Sequence, residues 1–143
     1  MPESLLKETF QLSDIDAVAK RLLHVAGNQR VWLFQGEPGA GKTTLIRSIC
    51  DQLGVPAHNL SSPTFNIMNR YQGSDVIVNH FDLYRIRKET ELLDIGMDEQ
   101  LDSGDFCFIE WPDRMEMLRP QHFFSVTLQV IDAVTRTVDY TLI

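Results

Sequence analysis

Apolar positions change their spacing several times along the chain, and each change predicts an element. Residues 7–12 suit a short edge strand, and the next apolar positions recur at helical spacing until Gly27 and Asn28. The Ser-x-x-Asp pattern of residues 13–16 predicts a capping box that opens this helix. The predicted buried face of the helix comprises Ile15, Val18, Ala19, Leu22 and Ala26.

Two uninterrupted apolar runs predict strands that are buried on both faces. One lies within residues 30–35 and the other covers residues 106–109. Between them, a helix after residue 43 buries Leu45, Ile46, Ile49 and Leu53 and stops at Gly54. Residues 55–65 then read as a connecting loop, so the two runs belong to a sheet joined by helical and irregular crossings.

The remaining pattern predicts two hairpins and a short helix. Residues 66–71 and 75–82 flank a Gln-Gly-Ser turn, and residues 123–131 and 135–143 form a closing hairpin around Asp132-Ala133. A short helix over residues 87–93 precedes Gly96, and Pro112 and Pro120 bracket a brief helical or irregular piece. The strand order stays open at this stage.

Residues 36–43 read GEPGAGKT and fit the phosphate-loop pattern G-x-x-x-x-G-K-[S/T] between a predicted strand and a predicted helix. Glycines there leave backbone N–H groups that converge on phosphate oxygens at a helix N-terminus. Lys42 is expected to reach the β- and γ-phosphates, and the Thr43 hydroxyl to complete a Mg²⁺ shell. The strand and helix around the motif make a chance glycine-rich turn the weaker interpretation. The predicted phosphate contacts are Glu37, Pro38, Gly39, Ala40, Gly41, Lys42, Thr43 and Thr44.

The motif completes the predicted fold class. We expect a single domain over residues 1–143, an α/β sandwich like that of the P-loop NTPases. Its central sheet is parallel, carries antiparallel additions and is flanked by helices.

Acidic residues at the ends of two predicted strands are candidates for metal binding and catalysis. Glu110 ends the apolar strand 106–109, in a Walker-B arrangement with Glu in place of the usual Asp, and Asp82 ends the strand before it. Glu110 is predicted as the better Mg²⁺ ligand, and Asp82 as a residue that orients the attacking water or shares the metal. The plainer alternatives are a solvated strand end for Glu110 and a turn cap for Asp82.

Other candidate residues are weaker on their spacing alone. Thr64 could contact the γ-phosphate, but an ordinary loop hydroxyl is favoured. Trp111 either stacks near the nucleotide or fills the core. Arg85 and Arg114 could contact phosphate in the transition state, but surface ion pairs are favoured. His80 is expected to be a satisfied core histidine rather than a catalytic one.

Composition narrows the class of protein. The formal net charge of −7 argues against an independent nucleic-acid binder, so any role near RNA is expected to run through another protein. ATP needs only the local positive potential of Lys42 and a helix N-terminus. No run of eighteen apolar residues predicts a membrane span and no secretory signal is visible, so we expect a cytoplasmic protein with Cys50 and Cys107 as buried free thiols.

Four sequence runs together resemble the TsaE (YjeE) family, the small ATPases of bacterial tRNA threonylcarbamoyladenosine biosynthesis. They are GEPGAGKTT (36–44), SPTF (62–65), HFDLYR (80–85) and IEWP (109–112), in that order. The resemblance implies slow hydrolysis of ATP with Mg²⁺ and association with the TsaB–TsaD pair, which modifies the adenosine beside the anticodon. It implies that the ATPase resets that complex between turnovers, is not itself the threonylcarbamoyl transferase, and reaches the tRNA only indirectly.

The resemblance also implies roles for individual residues. Thr43 and Glu110 would hold Mg²⁺, Lys42 the phosphates, and Thr64 and Asp82 the γ-phosphate side. Glu37-Pro38 departs from the more usual Asp-Leu, and the proline stiffens the loop.

Two other classes remain as alternatives. A small-molecule P-loop kinase would need an acceptor pocket and usually an Arg-rich lid, yet residues 97–123 contain only Arg114 and Arg119. A non-catalytic, nucleotide-gated binding module would bind ATP while hydrolysis is incidental.

Overall fold

A seven-stranded mixed sheet organises residues 6–60 and 67–143, the parts of the chain that the computed structural model describes. Its strands lie in the order β1-β7-β6-β2-β5-β4-β3. The four central strands β6, β2, β5 and β4 run parallel, and β1, β7 and β3 pair antiparallel at the two sides. The strands are β1 (Leu6–Gln11), β2 (Val31–Gln35), β3 (Met68–Gln72), β4 (Ile77–Asp82), β5 (Phe106–Glu110), β6 (Phe124–Val130) and β7 (Thr135–Leu142).

Helices and 3-10 turns connect these strands. Two glycines with positive φ lie at helix ends. Gly27 follows helix α1 (Ile15–Ala26) with φ 58°, and Gly96 precedes helix α4 (Met97–Asp102) with φ 76°. The helices are α1 (Ile15–Ala26), α2 (Lys42–Gln52), α3 (Thr90–Asp94) and α4 (Met97–Asp102), and the 3-10 turns are Leu12–Asp14, Ala57–Asn59 and Pro112–Arg114. No helix within the described ranges is long and apolar enough to cross a membrane.

The sheet buries a core on each face. Because successive strand residues point to opposite faces, Trp32 and Phe34 join the cluster under α1 and α2, while Leu33 joins the cluster under α3 and α4. The Trp32 ring meets the Phe124 ring edge to face at 4.7 Å between centroids. Both central apolar runs are therefore buried strands, as their sequences predicted.

Several further predictions of local structure are confirmed. The predicted face of α1 is buried, β1 lies at an edge of the sheet, and both hairpins pair antiparallel. Cys50 and Cys107 are buried free thiols, and burial raises their pKa to about 12 and about 11.

The predicted capping box is wrong. Residues Leu12–Asp14 form a 3-10 turn, α1 begins at Ile15, and no side chain caps its first turn. The Asp16 carboxylate instead accepts a hydrogen bond from the Ser48 hydroxyl on α2. The Asp16 carboxylate, which the local pattern assigned to the capping box, thus forms a contact between two helices instead.

The predicted helix over residues 87–93 begins too early. The carboxylate of Glu91 accepts hydrogen bonds from the backbone N–H groups of Arg87 at 2.7 Å and Lys88 at 2.9 Å, so these residues precede α3 rather than belong to it. The short helix α4 after Gly96 was not predicted, because only Met97 in it is buried.

Smaller differences concern element ends. Leu53 is half-buried at the end of α2 rather than fully buried. The first hairpin pairs Met68–Gln72 with residues 77–81. Both strands begin two residues later than predicted, and Gln72, which was predicted for the turn, ends β3. Residue 66 lies outside the described residues.

Candidate functional site

Three parallel strands end side by side at one edge of the sheet. In the strand register Phe34 of β2 pairs with Glu110 of β5, and Glu110 pairs with Asp82 of β4. The loop of residues 36–41 begins directly after β2. The two carboxylates and the loop, which lie far apart in sequence, are therefore neighbours, as expected for the carboxyl ends of parallel strands.

Residue 36 has to be glycine. A Cβ there would meet the Leu128 carbonyl oxygen at 2.9 Å and the Ala40 Cβ at 3.2 Å. The loop then turns tightly, with the Ala40 N–H donating to the Glu37 carbonyl at 3.0 Å. Gly41 has φ 103°, a value that L side chains rarely adopt, and α2 starts at the next residue.

Lys42 is the first residue of α2 and only 6% exposed. Its Nζ donates to the Gly36 carbonyl and lies 4.0 Å from the centroid of the Trp111 ring. Burial lowers the pKa of Lys42, and the charges of Glu110, Asp82 and Asp113 oppose that effect. The Lys42 ammonium is thus bonded to the loop backbone and interacts electrostatically with the carboxylates at the ends of β4 and β5.

Glu110 is 3% exposed and ends a buried chain of hydrogen bonds. Its Oε2 lies 2.6 Å from His80 Nε2, and His80 Nδ1 lies 2.8 Å from the Tyr71 hydroxyl. The plain interpretation of Glu110 as a solvated strand end is therefore wrong. His80 is a satisfied core histidine as predicted, yet its link to Glu110 was missed. Its position two residues before Asp82, on the same face of β4, was the available signal.

Asp82 is half-buried beside Glu110 and also caps a turn, with Oδ1 accepting the Tyr84 N–H at 3.1 Å. Burial raises the pKa of Asp82, and the Glu110 charge adds to the rise. The Tyr84 N–H, His80 and Lys42 act in the opposite direction. The turn-cap role is real, but the carboxylate also belongs to the strand-end group.

Trp111 lies in the left-handed region with φ 60°, the only non-glycine residue in the described ranges with a positive φ. Its half-buried ring packs against Tyr84 at 4.9 Å between centroids and against Lys42. Together with Pro38 and Asp113 it lines an open cavity of about 810 Å³ beside the loop. The ring also packs against the core cluster under α3 and α4, so Trp111 lies between that core and the loop.

The remaining predicted residues lie at the loop or just after it. Glu37, Pro38 and Gly39 are exposed, Ala40 is buried, Thr43 is half-buried and Thr44 is exposed. Thr64 lies outside the described residues.

Of the weaker arginine candidates, Arg114 forms the expected ion pair. Its Nε lies 3.8 Å from an Asp113 carboxylate oxygen.

Sequence reasoning missed Arg136 entirely. This residue of β7 is 7% exposed, and its guanidinium donates to the carbonyl oxygens of Ala40 at 3.1 Å and Gly39 at 3.3 Å. No local pattern marks a contact across about a hundred residues, so only the fold reveals it.

The oxygen atoms at the strand ends and at the start of α2 suit a magnesium ion that is held jointly with a ligand. Residues 6–60 and 67–143 contain no group of three or more His, Cys, Asp or Glu side chains that could hold a metal ion. Mg²⁺ typically takes one or two carboxylates together with substrate phosphates and waters. Glu110 and Asp82 at adjacent strand ends, with the Thr43 hydroxyl at the start of α2, fit that mode of binding.

The strand order and the glycine-rich loop between β2 and α2 define an α/β protein of the P-loop fold. The family model "Threonylcarbamoyl adenosine biosynthesis protein TsaE" matches residues 9–138. The chain therefore belongs to the TsaE family, as the resemblance predicted.

Individual relatives agree with this family. The chain is 33% identical over 115 residues to the tRNA threonylcarbamoyladenosine biosynthesis protein TsaE of Rickettsia felis, covering 80% of this chain and 67% of that one. It is 29% identical over 135 residues to the TsaE of Bacillus subtilis, covering 94% and 84%. The crystal structure of YdiB from Bacillus subtilis has the same fold, with a TM-score of 0.77, 23% identity, and coverage of 99% of this chain and 88% of that one.

Proposed function

We propose that this protein binds ATP with Mg²⁺ at the loop of residues 36–43 and hydrolyses it slowly in support of tRNA threonylcarbamoyladenosine modification. The observation that carries the proposal is the buried Lys42 ammonium on the loop, with Glu110 and Asp82 at the ends of the two next strands. These are the parts that phosphoryl transfer requires, a cradle, a cation and carboxylates for the metal and water. The family membership supplies the tRNA modification.

In this proposal the phosphates lie along the loop at the N-terminus of α2. Lys42 exchanges the Gly36 carbonyl for the β- and γ-phosphates, and the helix N-terminus adds positive potential. Glu37, Pro38, Gly39, Ala40, Gly41 and Thr44 frame the phosphates, and Trp111 closes the side of the site where its ring meets Lys42.

Thr43 and Glu110 would hold Mg²⁺, which neutralises charge on the transferring phosphoryl group. His80 keeps Glu110 in place through the hydrogen bond to Oε2. Asp82 orients the attacking water, because it stands next to Glu110 without being tied to His80. Thr64 belongs to the γ-phosphate side in this proposal.

We propose weak intrinsic turnover of ATP because Arg114 and Arg136 are already engaged by other groups of the protein. Arg114 is engaged by Asp113 and the Ile86 carbonyl, and Arg136 by loop carbonyls. An arginine supplied in trans raises the turnover of related enzymes by about 10³ to 10⁵. We therefore propose that TsaB–TsaD is the partner and completes the site, and that tRNA is reached only through that complex.

Titration calorimetry tests the binding step. Wild-type protein should release or absorb heat with Mg-ATP, and Lys42→Ala should weaken binding by about tenfold or more because a hydrogen-bonded charge is lost. Lys20→Ala, which removes an exposed ammonium from α1, is the matched control and should bind as the wild type does. Absence of heat from folded wild-type protein contradicts the proposal.

One observation favours the kinase alternative, the cavity of about 810 Å³ that adjoins the loop and could admit an acceptor. A coupled assay over nucleosides and shikimate-like acceptors separates the two functions. Phosphorylation of any acceptor at an enzyme-like rate would replace the ATPase proposal with a kinase.

A further inference from the structure

The Arg136 guanidinium joins the loop of residues 36–41 to the β6–β7 hairpin. Nε and one terminal nitrogen donate to Ala40 and Gly39, and the other terminal nitrogen donates to the carbonyls of Asp132 at 2.7 Å and Thr135 at 3.0 Å. One side chain therefore contacts four carbonyls on two segments, an arrangement that the forked donors of arginine permit and a lysine cannot match.

All four of these acceptors are neutral. Among the described residues no carboxylate lies within 4.0 Å of the Arg136 guanidinium, and Asp132 interacts with its charge only at longer range. A buried cation without a close counter-ion is costly to the fold. An anion bound across the thin loop would offset that cost.

The hydrogen bonds also set the orientation of a loop amide. The described peptide bonds are all trans, so the C=O and N–H of one peptide unit point in opposite directions. The Ala40 carbonyl points to Arg136, and the Gly41 N–H of the same unit therefore points to the other side of the loop. The Ala40 N–H is already used in the turn to Glu37.

We propose that Arg136 is a positioning residue for the phosphate loop. It holds the Gly39 and Ala40 carbonyls on the hairpin side, so that the Gly41 N–H faces the phosphates of a nucleoside triphosphate, and its charge adds to the attraction for that polyanion. The proposal rests on the proposed ATP binding and extends it to a residue outside the motif.

A purely structural role in the hairpin is the competing explanation, and Asp132 provides the control. Its Oδ1 accepts the Val134 N–H at 3.0 Å and the Thr135 N–H at 2.8 Å, so Asp132→Ala loosens the same hairpin without removing any of the four carbonyls that Arg136 contacts. A loss of ATP affinity caused only by hairpin damage should appear in this variant too.

The experiment compares Arg136→Met, Arg136→Lys and Asp132→Ala with the wild type. Calorimetry with Mg-ATP gives Kd, thermal unfolding gives Tm, and NMR gives the hydrogen exchange of the Gly41 amide. Arg136→Met should raise Kd by about tenfold or more and Arg136→Lys by about threefold or more, since charge-assisted hydrogen bonds are lost. With Mg-ATP bound, exchange at Gly41 should be faster in both variants than in the wild type, because the amide is held less well against a phosphate. Asp132→Ala should bind ATP within about twofold of the wild type.

The outcomes separate this inference from the function on which it rests. Wild-type protein that binds no Mg-ATP removes the proposed function and this inference with it. If the wild type binds Mg-ATP and the Kd of Arg136→Lys lies within about twofold of the wild-type Kd, only the role of Arg136 is overturned. A loss of ATP affinity in Asp132→Ala equal to that in the Arg136 variants overturns it as well. If Arg136→Met does not fold, Arg136→Lys decides the question by the same limits.

Discussion

Asp82 and Glu110 stand at neighbouring strand ends but have different partners. Glu110 is tied to the imidazole of His80, whereas Asp82 accepts a backbone N–H and is less deeply buried. The Glu110 charge also contributes to the raised pKa of Asp82, so the two carboxylates influence each other. Their different anchoring is the physical basis for the proposal that Glu110 holds the metal and Asp82 orients the water.

Asp82→Asn should lower ATP turnover by about 100-fold while changing ATP affinity by less than about threefold, because it removes the group that we propose acts on water. Single-turnover hydrolysis and calorimetry measure the two effects separately. Asp94→Asn, at the exposed end of α3, is the control and should change neither. Equal losses of turnover and affinity in Asp82→Asn would show a binding role instead.

Glu110→Gln distinguishes hydrolysis from nucleotide gating. We expect it to abolish Mg²⁺-dependent turnover, since an amide is a poorer ligand for a hard cation. The readout is ATP turnover together with support of tRNA modification in the reconstituted system. A variant that retains ATP binding and full support of modification would make hydrolysis dispensable and favour the binding module.

Among the elements, β1 is attached by one carboxylate in addition to its backbone ladder and the buried side chain of Phe10. Glu8 accepts hydrogen bonds from Arg21 Nε on α1 at 3.0 Å and from the Tyr140 hydroxyl on β7 at 2.8 Å. The hydrogen bond from Arg21 lowers the pKa of Glu8, with a smaller contribution from Tyr140. An edge strand is thereby linked both to a helix and to its neighbour in the sheet.

Glu8→Gln should lower the free energy of unfolding at pH 7 by about 0.5 to 1 kcal/mol, a small value because Arg21 is half exposed. A lowered carboxyl pKa stabilises the fold above the unfolded value and loses its effect as the pH falls through the folded value. The difference between variant and wild type should therefore shrink in acid. Urea unfolding at several pH values measures it, with the exposed Glu116→Gln as control; a difference independent of pH would be contrary to this account.

The predictability of the elements follows how local their determinants are. α1 and β2 were predictable because a single face or a continuous apolar run decides them. The first residue of α1 was not, because Asp16 bonds to Ser48 on another helix. α4 escaped notice because a short polar helix depends on packing that the local pattern does not encode.

The predictability of the candidate site also follows how local its determinants are. The loop and the two strand-end acids could be predicted, since each follows an apolar strand and parallel strands align their carboxyl ends. The contacts of His80 and Arg136 could not, because they depend on strand register and on a hairpin that returns from the far end of the chain.

For the whole molecule, a negative net charge is combined with buried cations at the loop. The formal net charge is −7, while Lys42 and Arg136 are buried at the loop. A protein of this net charge has little capacity to release the counter-ions of RNA phosphates. A small anion can still be held by local cations that are screened only weakly.

We expect the isolated protein to show no association with unmodified tRNA at physiological salt, and to join tRNA only when TsaB–TsaD is present. Fluorescence anisotropy of labelled tRNA, with and without the TsaB–TsaD pair, measures both. TsaB–TsaD should also change the ATP turnover of the protein. Micromolar binding of tRNA by the isolated protein, or turnover unaffected by the pair, would refute this arrangement.

The contact between Lys42 and Trp111 has an optical consequence. Trp111 is one of two indoles in the chain, and the other, Trp32, is enclosed among the rings of Phe34, Phe108 and Phe124. Indole fluorescence responds to a nearby charge, and the Lys42 ammonium lies 4.0 Å from the Trp111 ring centroid. A ligand that moves the ammonium away from the ring should therefore change the emission of Trp111 and not that of Trp32. The protein thus carries its own label-free reporter of site occupancy, with a built-in reference signal.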